Sequence, residues 1–473
     1  MTTLSQLTDQ PSTRQVKKTV TWVSLGACGG LVVALAIINY ILWVHNYFAA
    51  DSWSLIGSIS EPDWSLADLL PFRRVPHAVN STEYYAPVFT VVLWVAYKLG
   101  GFAPERYHLM LIGFHAGTSL FVFLSAFQLT RSRLKATAAG AIFAVHFASV
   151  EAVGWIGGIT HPLAGFFGAL SMVLYLYYMS SGRRILGLGA FLALLGASFT
   201  QVTALPWFAI LACIDIYYSR CGTSPVKSSL IRRLALLAVL LLAILPMQFQ
   251  SFRVTGTDGY QYRIGSWILL NAFFYPLSTV MPNLEGPAYS LVRDLLEAPF
   301  EPHAFTRLMT MNDAFGMLLA SGLAIAAIVL LWLIGGRVSR LCIICFALAT
   351  TPFLLMSGQG YRYLYPLLMF FSIAFAGALV DLSRHLRGAS RWGSYAVLTV
   401  LPLFVLLSFA ESQRQLFWWE QAGLITHKSL NQLKETQPEF PKSSKVVFGG
   451  LVDTLQDTSA QVWRRGISEA VKV

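Results

Sequence analysis

The chain has 473 residues, of which 55% are hydrophobic and 12% charged, and a formal net charge of +11. A soluble domain carries about 25% charged residues, so a water-soluble globular fold is excluded and an all-α polytopic membrane protein is expected. The positive charge lies in short basic clusters between apolar runs, the pattern of cytoplasmic loops beside anionic lipid, so the lipid bilayer is the expected partner and nucleic acid is not.

Residues Met1 to about Val20 are polar, with Arg14, Lys17 and Lys18 just before the first apolar run, which places the N-terminus in the cytoplasm. The run at about 21–44 is too long for the core of a signal peptide and lacks a small-residue cleavage pattern, so an uncleaved helix is expected. It delivers Asp51 to the outer side. The stretch from Phe48 to Gly101 then reads FAADSWSLIGSISEPDW, a run dense in charge and proline that ends in EYYAP, and the apolar segment VFTVVLWVAYKLGG.

Basic clusters at Arg131–Lys135, Ser181–Arg184, Ser219–Arg233, Gly336–Arg340 and Ser383–Arg391 all belong in the cytoplasm by the positive-inside rule. Pairs of apolar runs separate them. Helices are therefore expected at about 107–130, 136–150, 163–180, 185–200, 203–219, 234–250, 314–335, 341–357, 363–381 and 393–410. With the first helix that makes about eleven spans of roughly 20 residues, and the C-terminus falls outside. In this scheme Pro87–Gly100 cannot cross the membrane and is expected to lie along the outer surface as an interfacial helix. Trp267–Pro282, interrupted by Pro276, is likewise placed outside with the whole of about Ser251–Asp313. The expected organisation is one transmembrane module over residues 1–410, with outer segments at 45–106 and 251–313, and a small outer-face tail over 411–473.

The candidate chemistry gathers on the outer side. Asp51 stands just past the first helix, where a carboxylate can stay charged beside anything held in the bilayer. It reads either as a catalytic acid or as a cap for a short helix beginning at Ser52. The turn VHFASVEAVGWIGGITHPLAGF carries His146, Glu151, Trp155 and His161. Glu151 and Trp155 are four apart and share a helical face, while each histidine reads either as a ligand-facing group or as packing. In SGQGYRYLYP, Arg362 is the lone basic residue of its outer loop, among tyrosines that suit an aromatic belt. Its guanidinium fits a phosphate through bidentate charge-assisted bonds. His108 and His115 are seven apart on one helix and share a face. Tyr85, in EYYAP, and Arg263, in RVTGTDGYQYR, complete the candidates. One acid with scattered histidines is a poor divalent site, so neither a metal nor another cofactor is expected. No Walker loop, GxSxG, HExxH or GxGxxG after a strand is present.

Together, Asp51, Tyr85–Pro87, His108 to His115, His146 with Glu151–Ile156, and Arg362–Tyr365 resemble the motifs of the C-type (GT-C fold) membrane glycosyltransferases. The similarity is nearest to the transmembrane and tetratricopeptide O-mannosyltransferases and their repeat-free bacterial relatives. It covers about Phe48–Tyr178 and Tyr361–Ala376. The pattern departs from those relatives at Ser52, where a second acid is usual, and at Ile159 and His161, where an Arg and then an Asp are usual. The resemblance implies a polyprenyl-phosphate-linked sugar as donor and transfer to an acceptor hydroxyl (protein, lipid or glycan) with inversion at the outer face. It also implies Asp51 as general base and Arg362 on the lipid phosphate. Arg253 or Arg263 would assist there, with Glu151, His146, His161, Tyr85 and His108 around the substrates. The absence of an organelle signal suggests a bacterial inner membrane. Two other readings remain: a transporter or flippase of lipid-linked saccharide, and a non-catalytic binder on the same fold. Transporters place charges at mid-membrane and show inverted repeats, whereas here the polar residues collect on one face.

Overall fold

The computed structural model describes residues 11–60, 85–221, 226, 229–252, 266–282, 322, 326–356, 360–437, 455 and 460–463. Arg263 and most of the second expected outer segment lie outside these residues, as does the proline-dense run at 61–84. The helices in chain order are α1 (Pro11–Ile41), α2 (Ser52–Ser60), α3 (Pro87–Gly100), α4 (Pro104–Thr130), α5 (Arg133–Val145) and α6 (Val150–Gly154). They continue with α7 (Thr160–Ser181), α8 (Arg184–Ser198), α9 (Pro206–Cys221), α10 (Leu230–Phe252) and α11 (Ser266–Ser278). The last three are α12 (Arg337–Leu354), α13 (Tyr365–Arg387) and α14 (Arg391–Thr436).

Among the described residues eight helices are long and apolar enough to cross a bilayer, and no membrane-depth sheet accompanies them. The chain is a multi-pass, all-helical membrane protein. Of the eleven expected spans, two differ for physical reasons. α5 and the following Phe147–Gly154 segment form one candidate span broken by a 50° bend. The break is at His146, whose backbone turns extended (φ −65, ψ 125) and whose Nδ1 accepts from the Ala148 N–H at 3.2 Å. α8 is apolar but only 15 residues long. The span expected at 314–335 falls mostly outside the described residues.

Two further boundaries are informative. α3 spans the 14 residues from Pro87 to Gly100, as the sequence predicts: Pro87 supplies a preset φ at the first turn, and Gly101 ends it with a positive φ of 55 that glycine adopts without a Cβ clash. The last helix, expected to stop near 410, runs unbroken for 46 residues to Thr436. Beyond Pro402, which lies inside the helix, no proline follows until Pro438, so no missing N–H interrupts the ladder past residue 410. At 1.5 Å per residue such a helix reaches about 70 Å, more than twice a hydrocarbon core of about 30 Å. Its second half therefore stands clear of the bilayer.

α7 and α13 are buried along most of their length and form the centre of the bundle. α10 and α14 are peripheral, and their outward rows (Leu236, Val239 and Leu242; Leu403, Leu406 and Leu407) are exposed. In water such rows would be an aggregation surface, and in a bilayer they face lipid tails.

Because successive helices alternate in direction, the Asp51 turn and the starts of α4, α7 and α13 fall at one end. The basic clusters fall at the other. Two ion pairs lock that basic end. Lys135 Nζ meets Asp381 Oδ1 at 2.5 Å, joining α5 to α13. Arg233 grips Asp215 with Nη2 on Oδ1 at 2.7 Å and Nε on Oδ2 at 2.8 Å, a bidentate pair between α9 and α10. Tyr175 of α7 donates its hydroxyl to the same carboxylate at 2.9 Å. Tyr175→Phe is expected to destabilise the bundle by about 1.5–3 kcal/mol, the worth of a hydrogen bond to a buried charge, read as a lowered melting temperature in detergent.

Candidate active site

The candidate site is built on three short irregular segments at the end opposite the basic clusters. The first is the turn after α1. Ala50 takes a left-handed conformation (φ 52), one of two non-glycine residues to do so among the described residues. A side chain there costs roughly 1–2 kcal/mol, so the turn persists only because other groups hold it. The Ala49 carbonyl accepts from the Ser52 N–H at 3.2 Å and the Ser52 hydroxyl at 2.7 Å. The Ala50 N–H donates to the Val462 carbonyl at 2.9 Å. Asp51 is half-buried and directly precedes α2, and its carbonyl receives the Leu55 N–H at 3.2 Å. It thus occupies the cap position that the structural reading required. A cap needs only one carboxylate oxygen, which leaves the other to take up a proton.

The second segment holds Glu151 on α6 and Trp155 just after it. The third is the 3-10 turn Tyr361–Leu364 that leads into α13. Glu151 and Arg362 form an ion pair, with Arg362 Nη1 on Glu151 Oε1. The second carboxylate oxygen accepts the Arg362 backbone N–H at 2.9 Å. Both side chains are buried. Gly360 makes this approach possible: a Cβ there would lie 2.9 Å from Arg362 Nη1 and 3.2 Å from Glu151 Oε2. Arg362 Nη2 also donates to the Tyr363 hydroxyl at 3.0 Å. The guanidinium carbon sits 5.5 Å from the centroid of the Trp155 ring, within cation–π range. His161, the second residue of α7, is buried with its ring edge-on to Tyr363 at 5.4 Å.

Glu151, Trp155, His161 and Arg362 are therefore brought together. His146 is buried nearby in the chain, but its ring packs on Phe147, Phe371 and Phe404. His108, a candidate around the substrates, is buried, and its Nε2 donates to the Asn46 carbonyl at 3.1 Å, securing the loop that leads to Asp51. Its helical neighbour His115 is enclosed: Nε2 donates to the Ala144 carbonyl at 3.0 Å, and Nδ1 lies 2.9 Å from the Tyr365 hydroxyl. Tyr85 makes its contacts elsewhere. Its carbonyl accepts from Gln248 at 3.2 Å and its ring meets Phe199 at 6.1 Å. Partial burial holds its hydroxyl above the usual phenol range, so it stays protonated. Among the described residues no group of three or more His, Cys, Asp or Glu side chains could hold a metal ion.

Three supports were not foreseen. Asn271 of α11 donates to the Phe353, Leu354 and Met356 carbonyls at 3.0, 3.1 and 2.8 Å, closing the end of α12 ahead of the Arg362 turn. The second half of α14 packs on the Asp51 loop. Gly423 lies so close that a Cβ would be 2.9 Å from the Tyr47 carbonyl oxygen, and Trp419 stacks on Trp155 at 5.7 Å and 11°. The Trp155 indole N–H donates to the Ala49 carbonyl at 3.2 Å. Trp155, expected to share a helical face with Glu151, lies instead just past the end of α6 in extended backbone (φ −107, ψ 125). Nothing local announces these three supports.

No protein-family model matches the chain. Over a stretch of 181 residues it is 34% identical to protein O-mannosyl-transferase Tmtc1 of Drosophila melanogaster. That stretch is 36% of this chain, and the match spans 21% of the relative's length, about a fifth. The chain is similar in sequence to an O-mannosyl-transferase. This is the kind of relative that the motifs around Asp51, Glu151 and Arg362 indicated. Among solved structures it resembles apo ArnT from Cupriavidus metallidurans at 14% identity and TM-score 0.45, over 89% of this chain and 73% of that one. The same enzyme bound to undecaprenyl phosphate gives 14% and 0.41, over 88% and 73%. An Archaeoglobus fulgidus oligosaccharyltransferase tethered to an acceptor peptide gives 14% and 0.42, over 90% and 60%.

Proposed function

We propose that this protein is a membrane glycosyltransferase that moves a sugar from a polyprenyl-phosphate carrier to an acceptor hydroxyl at the outer face of an inner membrane, with inversion. The observation that carries the reading is the meeting, through Trp155, of the Asp51 turn with the buried Glu151–Arg362 pair at the end opposite the basic clusters. The basic end is cytoplasmic by the positive-inside rule, which sets the N-terminus inside and the candidate site outside. The sequence relative is itself an O-mannosyl-transferase by name.

In the proposed reaction the acceptor oxygen attacks the anomeric carbon while its proton passes to Asp51 as general base. The bond from that carbon to the phosphate oxygen breaks, and the polyprenyl phosphate leaves with the electron pair. Arg362 stabilises the departing phosphate, which must share the guanidinium with Glu151. His161 and Glu151 line the sugar side. Arg263, which lies outside the described residues, is assigned from the sequence alone as a second cation for the phosphate. The acceptor is a hydroxyl of a protein, lipid or glycan. The transporter reading calls for charges at mid-membrane. The buried ion pairs described above lie instead near helix ends, at Glu151–Arg362, Asp215–Arg233 and Lys135–Asp381.

The test is purified protein in liposomes with a panel of polyprenyl-phosphate sugars, following release of free polyprenyl phosphate. Sugar-dependent release that Asp51→Asn lacks supports the reading and names the donor. Donor binding or movement between leaflets without release, across the panel, overturns it in favour of a carrier.

A further inference from the structure

The geometry points to Trp155 as a positioning residue that fixes the Asp51 turn relative to Arg362. The inference deepens the reading above and rests on it for the roles of those two side chains. Trp155 touches both halves. Its indole N–H reaches the Ala49 carbonyl at 3.2 Å, and its ring carries the Arg362 guanidinium at 5.5 Å. The Ala49 carbonyl already accepts two bonds from Ser52, so the indole adds a third donor at the point where the chain enters the left-handed Ala50. That conformation is the costly one, and a bond anchored on a rigid ring is what holds it in a single register with the helix that bears Glu151.

The ring itself has little freedom. It is 4% exposed and stacks at 11° on Trp419. Gly157 crowds it so closely that a Cβ there would lie 2.3 Å from the indole. A fixed ring with a polar contact on one partner and a cation–π contact on the other acts as a spacer between the proton acceptor and the phosphate clamp. Transfer needs the acceptor hydroxyl at Asp51 and the donor phosphate at Arg362 held in register, and a misplacement of roughly 1 Å costs about 100-fold in rate.

Trp155→Phe keeps an aromatic face for Arg362 and Trp419 but deletes the N–H. Trp419→Phe trims the same stack, and the Trp419 indole N–H makes no hydrogen bond among the described residues. Kinetics and melting temperature are measured for both variants beside Asp51→Asn. The expected result is a kcat lowered about 10-fold to 100-fold in Trp155→Phe, with donor KM within about threefold of wild type, and near wild-type kcat in Trp419→Phe. Equal losses in both tryptophan variants, tracking the melting temperature, reduce Trp155 to packing and overturn the inference. Full turnover in Asp51→Asn overturns the role of Asp51, and that result is distinct from wild-type kcat in Trp155→Phe with Asp51→Asn inactive. Amide exchange across residues 49–52 gives a readout independent of turnover. Faster exchange in Trp155→Phe but not in Trp419→Phe is expected, and unchanged exchange in Trp155→Phe overturns the proposal.

Discussion

Asp51→Asn is expected to lower turnover about 100-fold to 10,000-fold, the usual worth of a positioned general base, while leaving melting temperature and donor binding near wild type. The substitution separates the two roles that one position can serve. Asp51 immediately precedes α2 and its carbonyl accepts the Leu55 N–H, so its side chain is placed to cap that helix. Asparagine caps a helix as well as aspartate does. A residue that only caps therefore tolerates the change, whereas a base does not, because the amide cannot take up a proton at neutral pH. Asp51→Ala removes both functions, and its additional cost should be about 1 kcal/mol of stability. Kinetics and thermal unfolding of the two variants, measured side by side, read this directly. Retained turnover in the asparagine variant would assign Asp51 to capping alone.

Glu151→Ala is expected to destabilise the protein by about 3–5 kcal/mol, because it strands the Arg362 charge in a buried site. Glu151 holds Arg362 twice, by its side chain and by its backbone N–H, so the variant also releases the 3-10 turn that starts α13. The double variant Glu151→Ala with Arg362→Met should lose less than the sum of the two single changes, since no unpaired charge remains. Thermal unfolding in detergent over the four proteins of the cycle gives the coupling. Additive losses would show that the pair contributes no mutual stabilisation. Turnover should fall sharply in every variant that lacks Arg362, because its guanidinium is the group of the described site assigned to the leaving phosphate.

Much of the architecture is legible in the residues alone, because the bilayer imposes a one-dimensional rule. Spans must be apolar for roughly 20 residues and loops carry their charge on one side. This rule gives the multi-pass helical class and the grouping of Asp51, Glu151 and Arg362 at one end. Pro87 and Gly101 gave α3 its two ends, because backbone constraints of that kind are local. The same rule misplaces the boundaries at His146 and near residue 410. A kink at a polar side chain and a helix that outlives the membrane both leave the hydropathy of the apolar run almost unchanged.

Pairings across distance were decided only by the tertiary structure. Arg362 was expected to await a phosphate, and it meets Glu151, 211 residues earlier in the chain. The choice follows from the energetics of burial: a guanidinium withdrawn from water at that depth requires a carboxylate beside it, and sequence does not say which one comes within reach. The support of the Asp51 turn by Trp155, Val462 and Gly423 was hidden for the same reason. Its contacts are backbone carbonyls and a close approach, and those depend on where the chain passes rather than on which side chains it carries. The sequence by itself determined that this is a helical membrane protein with its chemistry-bearing residues on one face. The fold alone decided which of them touch, because a hydrogen bond or an ion pair is set by angstroms that no hydropathy pattern encodes.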